Sequence, residues 1–112
     1  WGLIITEDYN VTPEGRGFSA TAGLWNDDQI KSHTQLPERV HKYGAIILAQ
    51  IYHCGRQTTT EAIPDGYNIR STSALMSPFG NEIPKPFTTE EVKALVQRYG
   101  DAALRARKCG FD

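Results

Sequence analysis

The chain has 112 residues, 39% hydrophobic and 22% charged, with a formal net charge of −1. A balance this close to zero gives no electrostatic reason to expect nucleic acid or an anionic membrane surface as a partner. The longest apolar run, Ala45–Tyr52 with Gln50 counted through, falls far short of the ~20 residues of a membrane-spanning helix. Two cysteines, Cys54 and Cys109, do not make a disulfide framework, so a reducing cytoplasm is the expected setting. Asn10-Val11-Thr12 spells a glycosylation sequon and is read there as chance.

Leu3-Ile4-Ile5-Thr6 is short, apolar and β-branched, which predicts a buried strand with Glu7-Asp8-Tyr9-Asn10 at its C-terminal end. Residues 10–24 carry Pro13, Gly15, Gly17 and Gly23 and read as loop. Gly15-Arg16-Gly17 lacks the spacing of a dinucleotide fingerprint and is given no phosphate role. Asn26-Asp27-Asp28-Gln29 predicts a helix start, with Asn26 as cap and Gln29 reaching back. Ile30, Leu36, Val40 and Tyr43 form the apolar face, with His33 on the same side. Pro37 falls inside this pattern and should kink or split the helix, and Gly44 should end it.

Ala45-Ile46-Ile47-Leu48-Ala49-Gln50-Ile51-Tyr52 shows no polar–apolar alternation. That pattern predicts a strand buried on both faces, as in a parallel sheet. Residues 57–87 hold Pro64-Asp65-Gly66, Pro78, Gly80, Pro84 and Pro86 and read as irregular. A stretch this long inside a compact domain is more often functional or cofactor-covering than inert. Thr88-Thr89-Glu90-Glu91 is a capping box, assigned wholly to that role. Val92, Leu95, Val96, Tyr99, Ala102, Ala103 and Ala106 are expected on one helical face, and Arg105, Arg107 and Lys108 suit the negative end of the dipole. Gly110 should cap this helix and Phe111 begin a further buried strand.

The order is thus β-α-β-long loop-α-(β), a βαβ unit with parallel strands. A complete α/β barrel needs about 250 residues. The chain opens on Trp1 without an initiator Met and closes where a strand should start, so it is expected to be part of a longer protein. In isolation its unpaired strand edges should leave it marginally stable.

In parallel α/β folds, ligands bind at the C-terminal ends of strands. Gln50 lies there. A carboxamide both donates and accepts, which suits an edge of alternating C=O and N–H groups such as a flavin's pyrimidine ring. The same amide could bond a neighbouring loop backbone, and the residue type alone favours that simpler reading. His53, Cys54 and Arg56 follow on a polar turn. They show no metal-ligand spacing, and adjacent residues on a turn make a poor Cys–His nucleophile pair. Arg56 could make a salt bridge with Glu61 or stand near an anionic cofactor. Glu7 and Asp8 could serve acid–base or divalent-metal chemistry, but neighbours on a strand face opposite ways, so at most one enters a site.

Taken in order, several stretches resemble one family. Gly2-Leu3-Ile4-Ile5-Thr6-Glu7, Pro13-Glu14-Gly15-Arg16-Gly17 and Gly23–Ile30 look like the second strand and second helix of Old Yellow Enzyme-type flavin oxidoreductases. Val40–Gly44 followed by Gln50–Gln57 looks like that family's third strand and the turn after it. The Ser73-Ala74 stretch, Thr88–Val92 and Ala102–Asp112 resemble the approach to its fourth strand. The likeness covers essentially the whole chain and is closest to the NADH:flavin oxidoreductase and 2,4-dienoyl-CoA reductase-like branch.

The resemblance implies that residues 1–112 are part of a single FMN-binding (β/α)8 barrel. Gln50 would bond the flavin's pyrimidine edge. The backbone at Asp8 would lie against the flavin, although an aspartate departs from the small residue usual there. Arg56 and His53 would be near the cofactor without an assigned contact, and Pro37 is unusual in that helix. The parent would be an enzyme passing hydride from NADH or NADPH through FMN to an unsaturated carbonyl substrate. The residues binding that carbonyl, the tyrosine proton donor and the phosphate-binding loops would lie outside this stretch. Any FAD or iron–sulfur domain would lie further downstream. No catalytic residue is assigned here, so the stretch alone should be inactive. Two alternatives stay open: a barrel fragment that binds nothing, and a metal-dependent barrel enzyme using Glu7, Asp8 and His53.

Overall fold

A computed structural model describes residues 1–112. Its elements run β1 (Leu3–Ile5), β2 (Tyr9–Asn10), α1 (Ile30–His33), α2 (Gln35–His41), β3 (Ile46–Leu48), β4 (Ile51–Tyr52), β5 (Arg70–Ser71), β6 (Lys85–Pro86) and α3 (Thr89–Cys109). All three strand pairs are parallel: β1 with β3, β2 with β4, and β5 with β6. The first two pairs continue one another and form a single two-stranded ribbon.

Tyr9, Val11, Leu24, Ile47, Ala102, Ala106, Cys109 and Phe111 make the core, and Ile4, Ala49 and Ile51 pack against it. Burying a side chain such as Ile47 or Leu24 contributes about 1.5–3 kcal/mol each. This core lies wholly on one side of the ribbon, under α2 and α3. The expectation of a strand buried on both faces is corrected here. Leu3, Ile5, Ile46 and Leu48 share the other face and are 52, 59, 51 and 37% exposed. With only two strand lines present, nothing covers that face. The Cα radius of gyration, 15.2 Å, exceeds the about 13 Å of a compact domain this size.

The long strand expected over Ala45–Tyr52 is in fact two, β3 and β4, separated by Ala49 and Gln50. Three residues, Thr6 to Asp8, occupy the matching gap between β1 and β2. One line therefore carries an extra residue, a bulge. Its effect appears in the pairing: Ile5 faces Leu48, but Tyr9 faces Ile51. Alternation runs unbroken through Ile47, Ala49 and Ile51, all on the core side. On the other line it jumps from Ile4 to Tyr9 and Val11.

The helix after the loop is split, as Pro37 suggests, and the split falls at Thr34. Proline has no N–H for the carbonyl three to four residues back, and the ladder fails there. Thr34 bridges the break: its N–H donates to Ile30 O at 3.2 Å and its carbonyl accepts from Glu38 N–H at 3.3 Å. Pro37 itself is fully buried. Gln29 Oε1 accepts from Asn26 N–H at 3.1 Å, the reach-back expected at this helix start. Gly44 ends α2 with φ +69°.

In α3, Thr88 Oγ1 accepts from Glu91 N–H, and Glu91 Oε2 accepts from Thr88 N–H, at 3.2 and 2.7 Å. Its buried face is Leu95, Tyr99, Ala102, Ala106 and Cys109. Val96, expected inside, is 69% exposed, and Ala103 also faces solvent. Gly110 takes φ +98°, and Phe111 N–H returns to Ala106 O at 3.1 Å. Phe111 starts no regular strand, but Asp112 N–H donates to Ile47 O at 2.9 Å, so the chain arrives alongside β3.

Two regions read as loop hold small ladders. Asn10 bridges Gly23 within residues 10–24, and β5 and β6 pair within residues 57–87. The longer loop is fastened at several points. Arg56 Nη1 donates to Leu75 O and Met76 O, both at 3.2 Å. Thr60 N–H donates to Glu82 Oε1 at 2.9 Å. Arg70 pairs with Glu91 at 2.6 Å and lies 4.5 Å from the Phe87 ring centroid. Glu91 thus does more than cap.

Candidate functional site at the strand ends

Polar groups gather where the ribbon changes register. Thr6 N–H donates to Leu48 O at 3.0 Å, the last regular bond of the β1–β3 ladder. Tyr9 N–H donates to Gln50 O at 2.8 Å, the first of the next. Between them Gln50 N–H finds Thr6 Oγ1 at 3.2 Å. The peptide N–H groups of Glu7 and Asp8 donate to no protein acceptor.

Gln50 shares the uncovered face with Ile46 and Leu48, at the C-terminal end of β3. It is exposed, so the burial penalty that would demand a partner does not operate in this chain. Its carboxamide bonds no protein group, and the loop-backbone alternative is not realised. Asp8 is half-buried and Glu7 exposed. The peptide joining Asp8 to Tyr9 is the one that donates to Gln50 O, so the Asp8 and Gln50 backbones run side by side. A cleft of about 540 Å³ takes in Thr6, Glu7 and Asp8 together with Leu36 and the core-side residues Ile4, Val40 and Ile47. Gln50 lies outside it, on the open face.

His53 and Arg56 are engaged elsewhere. His53 Nδ1 accepts from Gly55 N–H at 3.0 Å, and its ring sits edge-on to Phe87 with centroids 5.7 Å apart. Nε2 is sealed from solvent without a partner. Burial chiefly, with the Arg70 charge adding to it, pushes the imidazole pKa down. Arg56 fastens the long loop and does not make the salt bridge with Glu61 that its place in the sequence allows. Cys54 Sγ donates to Gln57 O at 2.6 Å, and burial, with the Asp8 charge adding to it, pushes the thiol pKa up. It is a protonated donor, unsuited to nucleophilic work. Glu7, Asp8 and His53 do not converge: nowhere do three or more His, Cys, Asp or Glu residues stand together as a metal site.

A second cleft, of about 430 Å³, lies between Gly17–Ser19 and the long loop and includes Arg56, Thr58 and Ser77. Tyr52 Oη accepts from Gly17 N–H at 2.8 Å, and Thr58 Oγ1 donates to Arg16 O at 2.7 Å. Sequence reasoning missed these fastenings, and it missed Thr6. No signal in the sequence marks Thr6: Leu3, Ile5, Tyr9 and Val11 keep one parity, and the jump from Ile4 to Tyr9 shows only in which side chains are buried.

Parallel strands covered by helices on one side, with unpaired polar groups at their C-terminal ends, define a segment of an α/β barrel. The family model for the NADH:flavin oxidoreductase / NADH oxidase family matches residues 1–112, and the chain belongs to that family. It is 36% identical to an NADPH dehydrogenase of Bacillus velezensis, a match covering 99% of this chain and 31% of that protein. It is 37% identical to an NADH oxidase of Thermoanaerobacter brockii, covering 99% of this chain and 17% of that one. Morphinone reductase, solved in complex with tetrahydroNAD, superposes with a TM-score of 0.91 at 32% identity, over 98% of this chain and 34% of its own. The chain therefore spans about a third or less of the proteins it resembles. No helix is long and apolar enough to cross a membrane.

Proposed function

We propose that the protein to which this barrel segment belongs is an FMN-dependent oxidoreductase that takes hydride from NADH or NADPH and delivers it to the activated C=C of an enone or enoyl thioester. Membership of the family supports this. The observation that carries it is the free Gln50 carboxamide beside the unpaired peptide groups of Glu7 and Asp8. Together they offer donors and acceptors at one strand end. That set fits the alternating carbonyl and N–H edge of a flavin's pyrimidine ring.

Bound FMN would supply the hydride chemistry, and the protein positions it. In this segment Gln50 holds the flavin edge and the Asp8 backbone lies against it. Arg56 and His53 act at one remove, by fixing the turn and the loop beyond. No residue here serves as acid, base or nucleophile, so the segment alone does not turn over. The similarity of the stretches quoted above to the 2,4-dienoyl-CoA reductase-like branch supports an assignment to it, and two free thiols suit a cytoplasmic setting.

The test is the visible spectrum of the purified full-length protein. Flavin bands in near-stoichiometric amount support the reading; a colourless, well-folded protein sinks it. Gln50→Leu in that protein should weaken FMN retention with the fold intact, and unchanged retention would remove Gln50 from the site.

A further inference from the structure

We propose that Thr6 is a positioning residue for Gln50, and through Gln50 for the flavin edge; the inference rests on the reading just given. A parallel ladder ordinarily pairs each inward N–H with a backbone carbonyl of its neighbour. At Gln50, beside the extra residue of the opposite line, no backbone carbonyl accepts this N–H. Thr6 Oγ1 takes that place at 3.2 Å.

Gln50 is thus held through both of the peptide units that flank its Cα. Its N–H donates to the Thr6 hydroxyl, and its carbonyl accepts from Tyr9 N–H at 2.8 Å. Holding both peptide planes fixes the Cα–Cβ direction between them and keeps the side chain in line with Ile46 and Leu48 on the uncovered face. Threonine suits the task, because β-branching restricts χ1 and keeps the hydroxyl where it accepts. The Thr6 backbone is itself anchored to the same partner strand, through its N–H to Leu48 O at 3.0 Å. Without the hydroxyl, the Gln50 peptide is free to rotate at the one point where the ladder is broken, and its carboxamide loses its aim.

The experiment uses full-length protein stripped of FMN, titrated with FMN and followed by quenching of flavin fluorescence. Thr6→Val keeps the shape and removes the acceptor, and should raise the FMN dissociation constant about fivefold, the worth of one ordinary hydrogen bond. Thr6→Ser keeps the acceptor and should stay within about twofold of the parent. Because Thr6 acts through Gln50, Thr6→Val in a Gln50→Leu background should add little further loss. An equal loss in both backgrounds, or no recovery with serine, overturns the proposal. If Thr6→Val does not fold, comparing Thr6→Ala with Thr6→Ser decides the same point, and equal affinities would overturn it. Gln50→Leu alone separates the two levels. If it leaves affinity unchanged, the flavin role of Gln50 falls, whereas a loss there with none in Thr6→Val removes only the positioning role.

Discussion

Gly15→Ala probes how tightly the loop after β2 is fitted to the turn after β4. A Cβ at Gly15 would lie 2.8 Å from His53 Cδ2, 3.1 Å from His53 Cγ and 3.1 Å from Thr12 Oγ1. Its backbone is not left-handed, so alanine adopts it without strain and gains about 0.4–1 kcal/mol from the unfolded state. Against this stands the ring. The imidazole is rigid, its Nδ1 is tied to Gly55 N–H at 3.0 Å, and it packs edge-on with the Phe87 ring. Moving it costs about 1–3 kcal/mol, as for other overpacked sites. The net expectation is a destabilisation of about 1–2 kcal/mol. The assay is the urea unfolding midpoint of the full-length apoprotein, run as a double-mutant cycle with His53→Ala. In the His53→Ala background the same Gly15→Ala change should be neutral or stabilising, since the contact it strained is gone. An equal cost in both backgrounds would refute the packing argument.

Ile47 is fully buried at the centre of the core, so Ile47→Ala should destabilise by about 2–5 kcal/mol, read from the same unfolding curves; a cost below about 1 kcal/mol would mean the helical side of the ribbon is not packed as described. The Arg70 guanidinium, with help from Thr88 N–H, holds the Glu91 carboxyl down to about 2. Its folded-state pKa lies below its unfolded value, so its stabilisation is whole above about pH 4.5 and is lost as pH falls toward 2. Thermal melts of the parent and Glu91→Gln should therefore differ at neutral pH and converge by pH 2. A constant gap would mean that the carboxylate charge is not what holds α3 to the long loop.

Much of this architecture is written in local chemistry. Pro37, Gly44, Gly110 and the Thr88–Glu91 box mark their helix boundaries because each acts through its own backbone or a neighbour a few residues away. The parallel pairing of Leu3–Ile5 with Ile46–Leu48 follows from two apolar runs joined by a helix. Long-range fastenings are another matter. The Arg56 bonds to Leu75 and Met76, and the Arg70 pair with Glu91, join residues far apart in sequence with no periodic signal. The apolar run of β3 also misled: Ile46 and Leu48 are as apolar as Ile47, yet only Ile47 meets the helices. Hydrophobicity reports that a side chain prefers cover, and which elements provide it depends on what the ribbon packs against. Gln50 was legible as a polar group at a strand end, but Thr6 was not, because its role arises from a one-residue difference between two lines that no single segment reveals.

That difference gives chain length a meaning here that it lacks in the surrounding loops. Alternation has a period of two, so adding or deleting one residue turns over everything that follows on the strand. The bulge absorbs that turnover: Tyr9 lies five positions after Ile4 where Ile51 lies four after Ile47, yet all four side chains reach the core side. Removing one of Thr6, Glu7 or Asp8 would restore a regular ladder with Tyr9 and Val11 still facing the core, and would remove the irregular segment where the Glu7 and Asp8 N–H groups stand unpaired. The long loop can vary in length at small cost. Between β1 and β2 the number of residues is itself part of the structural specification, as binding as the identity of any one of them.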